Sequence, residues 1–211
     1  MTKIACSIFL ISLCTAGLAQ KKKTPAKEPS VINIPLKAEN WAFTPEKVSF
    51  ADYKGAPSMK ILAGAGLVVL KDFDFRDGTI EFDHEPIHPS FASFYFHYKD
   101  QKENECFYFR TARAGFPQAG DAIQYAPFID GVNLWDMLFH YQANADFKKG
   151  AWNHVRLVIS GKQMRVYVNE TINSKPSLVV PRLEGNTLSG TLAFEGVSVI
   201  SNLVVKPGIV H

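Results

Sequence analysis

The chain has 211 residues, 46% hydrophobic and 20% charged, with 23 Lys and Arg against 20 Asp and Glu and a formal net charge of +3. That excess is N-terminal: setting aside Lys3, Lys21, Lys22, Lys23 and Lys27 leaves 18 basic residues, and setting aside Glu28 leaves 19 acidic ones. A domain so close to neutrality lacks the basic face that a nucleic acid would require, so nucleic acid is not an expected partner.

Residues 1–19 read as a secretory signal. Lys3 is followed by an apolar run from Ile4 to Leu13, and Gly17-Leu18-Ala19 offers small residues at the positions a signal peptidase inspects. The run is short for a hydrocarbon core of ~30 Å and Lys21-Lys22-Lys23 follows at once, so no integral membrane anchor is expected. Lipidation at Cys14 is the lesser alternative, because Leu13 stands where such signals carry a small residue. Cleavage after Ala19 predicts an exported protein, periplasmic or extracellular, that begins at Gln20. It also removes Cys6 and Cys14, which leaves Cys106 without an internal disulfide partner. Cys106 stands beside Phe107-Tyr108-Phe109 and reads as a buried, inert strand residue. Residues 20–30 are Lys- and Pro-rich and form a flexible basic tether. One domain, 31–211, follows with no second linker and no repeat.

The domain alternates as strands do. The candidates in chain order are Ser58–Leu62, Leu67–Asp72, Thr79–His84, Phe91–Tyr98, Glu105–Arg110, Ala122–Phe128, Trp135–Tyr141, His154–Ile159, Met164–Asn169, Thr191–Glu195 and Val199–Val205. The clearest local feature is a hairpin: Val155, Leu157 and Ile159 face the same way as Met164, Val166 and Val168, across a turn at Gly161. No segment carries a helical stripe over three turns. Many short strands separated by Gly, Asn and Pro predict an all-β fold, an antiparallel β-sandwich or barrel.

Three segments carry a family resemblance. Gly78-Thr79-Ile80-Glu81-Phe82-Asp83 is similar to an early strand of the concanavalin A-like, laminin-G-like jelly rolls. Gly150-Ala151-Trp152-Asn153 with the hairpin through Asn169 resembles their late hairpin, and Gly190 to Gly196 with Ser201-Asn202-Leu203 resembles their closing strands. The pattern is most similar to the 3-keto-disaccharide hydrolase domains of exported bacterial proteins. The resemblance implies a concanavalin A-like sandwich and a carbohydrate partner. It leaves open whether the chain binds glycan, hydrolyses it, or serves as a structural or protein-interaction module.

Glu81, Asp83 and Glu85 have the Glu-x-Asp-x-Glu spacing of the retaining glucanases in this superfamily. A period of two puts all three carboxylates on one strand face, where one could act as nucleophile and another as acid/base. The alternative is the solvent face of an amphipathic strand. Pro86 directly after Glu85 predicts that the strand ends there and that Glu85 lies in a loop. His84 and His88 have zinc-like helical spacing, but Pro86 and Pro89 forbid a helix. The superfamily makes calcium a possible cofactor, although no dense Asp/Asn cluster marks a site. The ligand-binding candidates are Tyr95, His97, Tyr108, Arg110, Gln124, Tyr125 and Trp135. Rings stack on the C–H face of a sugar while Arg and Gln donate to its hydroxyls. Arg110 and Gln124 are the polar residues least easily explained as core.

Overall fold

The computed structural model describes residues 30–170, 175–183, 185 and 187–208. The segments expected to be signal peptide and tether, 1–19 and 20–30, lie outside that set except for Ser30. In chain order the strands are β1 Ile32–Asn33, β2 Trp41–Ala42, β3 Val48–Tyr53, β4 Ala56–Ile61, β5 Val68–Leu70, β6 Gly78–Pro86, β7 Phe91–Tyr98, β8 Glu105–Arg110 and β9 Ile123–Tyr125. They continue as β10 Phe128–Ile129, β11 Val132–Asn133, β12 Gln142–Ala143, β13 Asn153–Ser160, β14 Gln163–Val168, β15 Leu178–Pro181, β16 Thr191–Glu195 and β17 Ser198–Pro207. The described residues contain three short 3₁₀ turns and no α-helix.

Two antiparallel sheets form a sandwich. The first runs β15-β14-β13-β6-β17-β4-β3, with β1 also on β17, and the second runs β12-β9-β8-β7-β16-β5-β2. Alternation explains why they stack: the inward residues of the first sheet, among them Ile80, Phe82, Leu157 and Val166, meet Phe94, Phe107, Ile123 and Phe194 of the second in one core. The Phe82 ring lies 5.1 Å from that of Phe94 and 5.3 Å, edge-on, from that of Phe194. The β13–β14 hairpin has the expected register, with Val155 opposite Val168, Leu157 opposite Val166 and Ile159 opposite Met164. All six are buried, and the turn between the strands is Gly161-Lys162 with Gly161 at φ 52°.

The resembling segments have local physical reasons. Gly78 opens β6 at φ 136°, and a Cβ there would sit 2.2 Å from the Lys206 carbonyl oxygen, so only glycine lets β6 and β17 approach. Asn153 is buried and ties the bend before β13 together. Its Nδ2 donates to the carbonyls of Lys148 and Ala151 at 2.8 and 2.9 Å, and its Oδ1 accepts from the Lys148 amide at 2.8 Å. Trp152 packs edge-on against Tyr53, with the ring centroids 5.7 Å apart.

Two local expectations are corrected. Trp135–Tyr141 forms consecutive turns, not a strand: the Leu138 amide donates to Leu134 O at 3.2 Å and the Tyr141 amide to Leu138 O at 2.8 Å. Met137-Leu138-Phe139 are three consecutive apolar residues, so the alternation breaks in the middle of the run and no single pleated face is specified. Glu85 lies in β6 opposite Val199, and Pro86 lies opposite Ser198. Proline is tolerated there because β13 pairs with β6 only as far as His84, so beyond it β6 has one neighbour and no ladder bond on its free side is lost.

Candidate functional site

The outer face of the second sheet carries a groove of about 430 Å³, within the range of small-molecule sites. Its floor comes from alternate residues of two paired strands. Phe91, Ser93 and Tyr95 of β7 stand opposite Arg110, Tyr108 and Cys106 of β8. The chain after β9 builds a wall from Ala126, Phe128, Asn133 and Trp135. A tight Asp130-Gly131 turn, at φ 52° and 80°, folds β10 back on β11 within this wall. Asn133 Oδ1 then accepts the Trp135 amide at 3.1 Å. Phe91 and Trp135 remain 55% and 51% exposed, enough ring surface for a ligand to stack on.

Gln124 joins floor to wall. It is fully buried on β9 beside Tyr108, and its Oε1 accepts from the Tyr108 hydroxyl at 2.5 Å and from Arg110 Nη2 at 2.7 Å. Its Nε2 donates to Trp135 O at 2.6 Å. Arg110 also donates to Asp121 O at 2.7 Å and to the Tyr108 hydroxyl at 3.2 Å, and lies 5.2 Å from the Tyr108 ring centroid. Burial raises the Tyr108 phenol above its ordinary value, and the charge of Arg110 opposes the shift. The phenol is therefore a neutral donor at physiological pH. Burial pushes the Cys106 thiol up to about 12, so Cys106 is an apolar floor residue there.

The seven ligand-binding candidates divide. Tyr95, Tyr108, Arg110 and Trp135 line the groove, and Gln124 lies directly beneath it. Tyr125 and His97 are elsewhere. As the neighbour of Gln124 in a strand, Tyr125 points to the opposite face, where its hydroxyl donates to Glu105 Oε2 at 2.7 Å. His97 would share the Tyr95 face under strict alternation, but β7 bulges there. His97 takes φ 48°, and the register with β16 shifts between Ala193 and Thr191. Its ring is buried instead, with Nδ1 2.8 Å from Glu105 Oε1 and Nε2 donating to Arg76 O at 2.7 Å. Arg182 completes this inner network, reaching Glu105 Oε2 at 2.9 Å and Oε1 at 2.5 Å. Burial pushes the Glu105 carboxyl up, but bonds from His97 and Arg182 outweigh it and hold the group below its ordinary value.

The carboxylate trio lies on the outer face of the first sheet, the other side of the sandwich. Glu81 accepts from Lys206 Nζ at 2.7 Å, and Asp83 accepts from His154 Nδ1 at 2.9 Å and Asn202 Nδ2 at 2.6 Å. Glu85 is buried, held by Lys54 Nζ at 2.7 Å and the Tyr53 hydroxyl at 2.9 Å. Each carboxylate is committed to a neighbour, and none of the three lines the groove. No Asp, Glu or His is among the groove's lining residues either. The sequence reading had not singled out Glu195. It lies on the outer face of the second sheet, opposite Ser93, and accepts from the Tyr95 hydroxyl at 2.7 Å. The signal for it was present, because Glu195 ends an apolar strand on the same parity as Ala193. Among the described residues no group of three or more His, Cys, Asp or Glu could hold a metal ion. No described helix is long and apolar enough to cross a membrane.

No family model matches the chain, and neither does any curated protein sequence. Solved structures do match. A carbohydrate-binding module, CBM66 of Bacillus subtilis, is similar at TM-score 0.54 and 11% identity, over 79% of this chain and 95% of that one. A Bacillus licheniformis β-glucanase matches at TM-score 0.56 and 10% identity, over 84% and 98%. A Bacillus subtilis protein with a galectin-like fold matches at TM-score 0.58 and 12% identity, over 88% and 99%. At such identities the likeness is one of fold, and the fold of this chain is the concanavalin A-like sandwich.

Proposed function

We propose that this chain is an exported carbohydrate-binding domain whose groove on the second sheet takes saccharide. The observation that carries the reading is the Tyr108–Gln124–Arg110 network, in which a buried amide holds a phenol, a guanidinium and the Trp135 backbone in place beside exposed rings. Such a site needs little rearrangement on binding: the rings take the C–H face of a pyranose, and the free N–H groups of Arg110 take hydroxyl oxygens. The likeness in fold to a carbohydrate-binding module and to a glucanase supports a glycan setting. Export rests on the N-terminal apolar run and Gly17-Leu18-Ala19. Binding is favoured over hydrolysis because the two-carboxylate mechanism needs acids facing each other across the substrate, and the groove lining supplies none.

Calorimetry on residues 31–211 against saccharides identified on a glycan array tests the reading. Trp135→Ala and Arg110→Ala should each weaken binding by about 1–3 kcal/mol with the thermal transition nearly unchanged. Absence of any bound glycan, or unchanged affinity in both variants, overturns it.

A further inference from the structure

We infer that the groove prefers acidic saccharides and that Arg110 seats the ligand's carboxylate or sulfate. The inference rests on the proposal that the groove takes saccharide and narrows it to a chemical class.

The argument begins with charge. The hydrogen-bond acceptors around Arg110 are all neutral: a backbone carbonyl, an amide oxygen and a phenol. No described carboxylate stands within ion-pair distance of it. The carboxylate of Asp121 is engaged by Arg113 at 2.8 Å, so two guanidinium groups share this neighbourhood with one paired acid. Three cations elsewhere in the domain are paired, Lys54 with Glu85, Lys206 with Glu81, and Arg156 with Glu170. Glu195 is two strands from Arg110, on β16, and bonded to Tyr95.

Occupancy turns this into selectivity. A saccharide lying on Phe91 and Trp135 strips water from Arg110, and a neutral ligand offsets that desolvation only with bonds to uncharged hydroxyl oxygens. A ligand anion replaces that cost with a charge-assisted bond, roughly twice as strong as a neutral one. Of the five guanidinium N–H groups, Asp121, Gln124 and Tyr108 occupy three. Nε–H and one Nη1–H remain for the ligand, on a side chain already immobilised.

The test is binding to an array of paired oligosaccharides followed by calorimetry. Galacturonate, glucuronate and mannuronate oligomers are set against their methyl esters, and sulfated galactan oligomers against desulfated ones. The acidic member of at least one pair should bind about tenfold or more tightly, and added NaCl should erode its advantage. The series that shows the preference identifies carboxylate or sulfate as the anion. Arg110→Gln should bring acidic affinity down to that of the neutral partner. Gln124→Glu, which sets a carboxylate against Arg110 with little change of shape, should do the same, and a thermal melt of each variant shows whether it folds. Equal binding of acidic and neutral partners, or a preference for the neutral ones, overturns the inference while leaving a saccharide site standing. Binding to no saccharide overturns both, and a preference that persists in folded Arg110→Gln removes Arg110 as the seat.

Discussion

His84 should set the acid limb of this domain's stability. Its ring lies inside the sandwich, stacked on Phe109 at 4.9 Å, and neither ring nitrogen has a hydrogen-bond partner among the described residues. Burial alone pushes its pKa down from 6.5 to about 3. The unfolded chain therefore binds a proton between these two values and the folded chain does not, so stability rises with pH across the window. The full contribution is present above about 6.5 and is lost as the pH falls toward about 3. At roughly 1.4 kcal/mol per unit, the whole window is on the order of 5 kcal/mol, and the part between about pH 8 and pH 4 roughly 3 kcal/mol. That is a large share of the 5–15 kcal/mol typical of a domain. His84→Leu removes the titrating group at nearly constant volume. Urea titrations of both proteins from pH 8 to pH 4 should show the variant losing about 3 kcal/mol less than the parent. His154 pulls the other way: its bond to Asp83 raises its pKa, so its stabilisation is present below its unfolded value and is lost as pH rises through the folded one. The ring is 44% exposed, which makes that contribution small, and it cancels between the two proteins. Parallel stability curves for parent and variant would refute the reasoning.

Three further outcomes are expected. Val166→Ala should cost about 1–3 kcal/mol in a denaturant titration, while Val179→Ala, on an edge strand and 48% exposed, should cost under about 0.5 kcal/mol, and equal losses would contradict the hairpin register. Gly78→Ala should destabilise by about 3 kcal/mol or more, because the new methyl meets the Lys206 carbonyl at a φ that alanine avoids; a thermal melt within a degree or two of the parent's would contradict that approach. Gln124→Leu should weaken glycan binding more than it lowers stability, since it releases Arg110 and the Trp135 backbone together, and a variant that binds normally would show that the network does not position the groove.

Where pairing is regular, one face can be read directly from residue parity. The inward set of β13 and β14 and the outward set Tyr108 and Arg110 were legible for that reason. The same rule separates Gln124 from Tyr125, since neighbours in a strand face opposite ways, so only one of these two candidates can belong to the groove's face. His97 is a different case. Its departure from the Tyr95 face depends on a bulge, which is a property of two strands pairing with unequal residue counts and leaves no mark in the alternation of either. Asn202, at φ 51° in the bulge of β17, is turned by the same effect onto Asp83. The Glu-x-Asp-x-Glu spacing was likewise correct as geometry, since all three acids emerge from one face of β6, but a spacing within one strand cannot say which side of a sandwich holds the groove. That depends on what lies across from the strand. Beside β6 stand His154 on β13 and Lys206 on β17, with Lys54 reaching in from the β3–β4 turn, and these donors commit the acids. Across β7 and β8 the outward residues are rings, a serine, a buried cysteine and one unpaired guanidinium. The two faces differ in the charge their neighbours leave unmatched: among the described residues, Arg110 lines the groove of about 430 Å³ with only neutral acceptors around it.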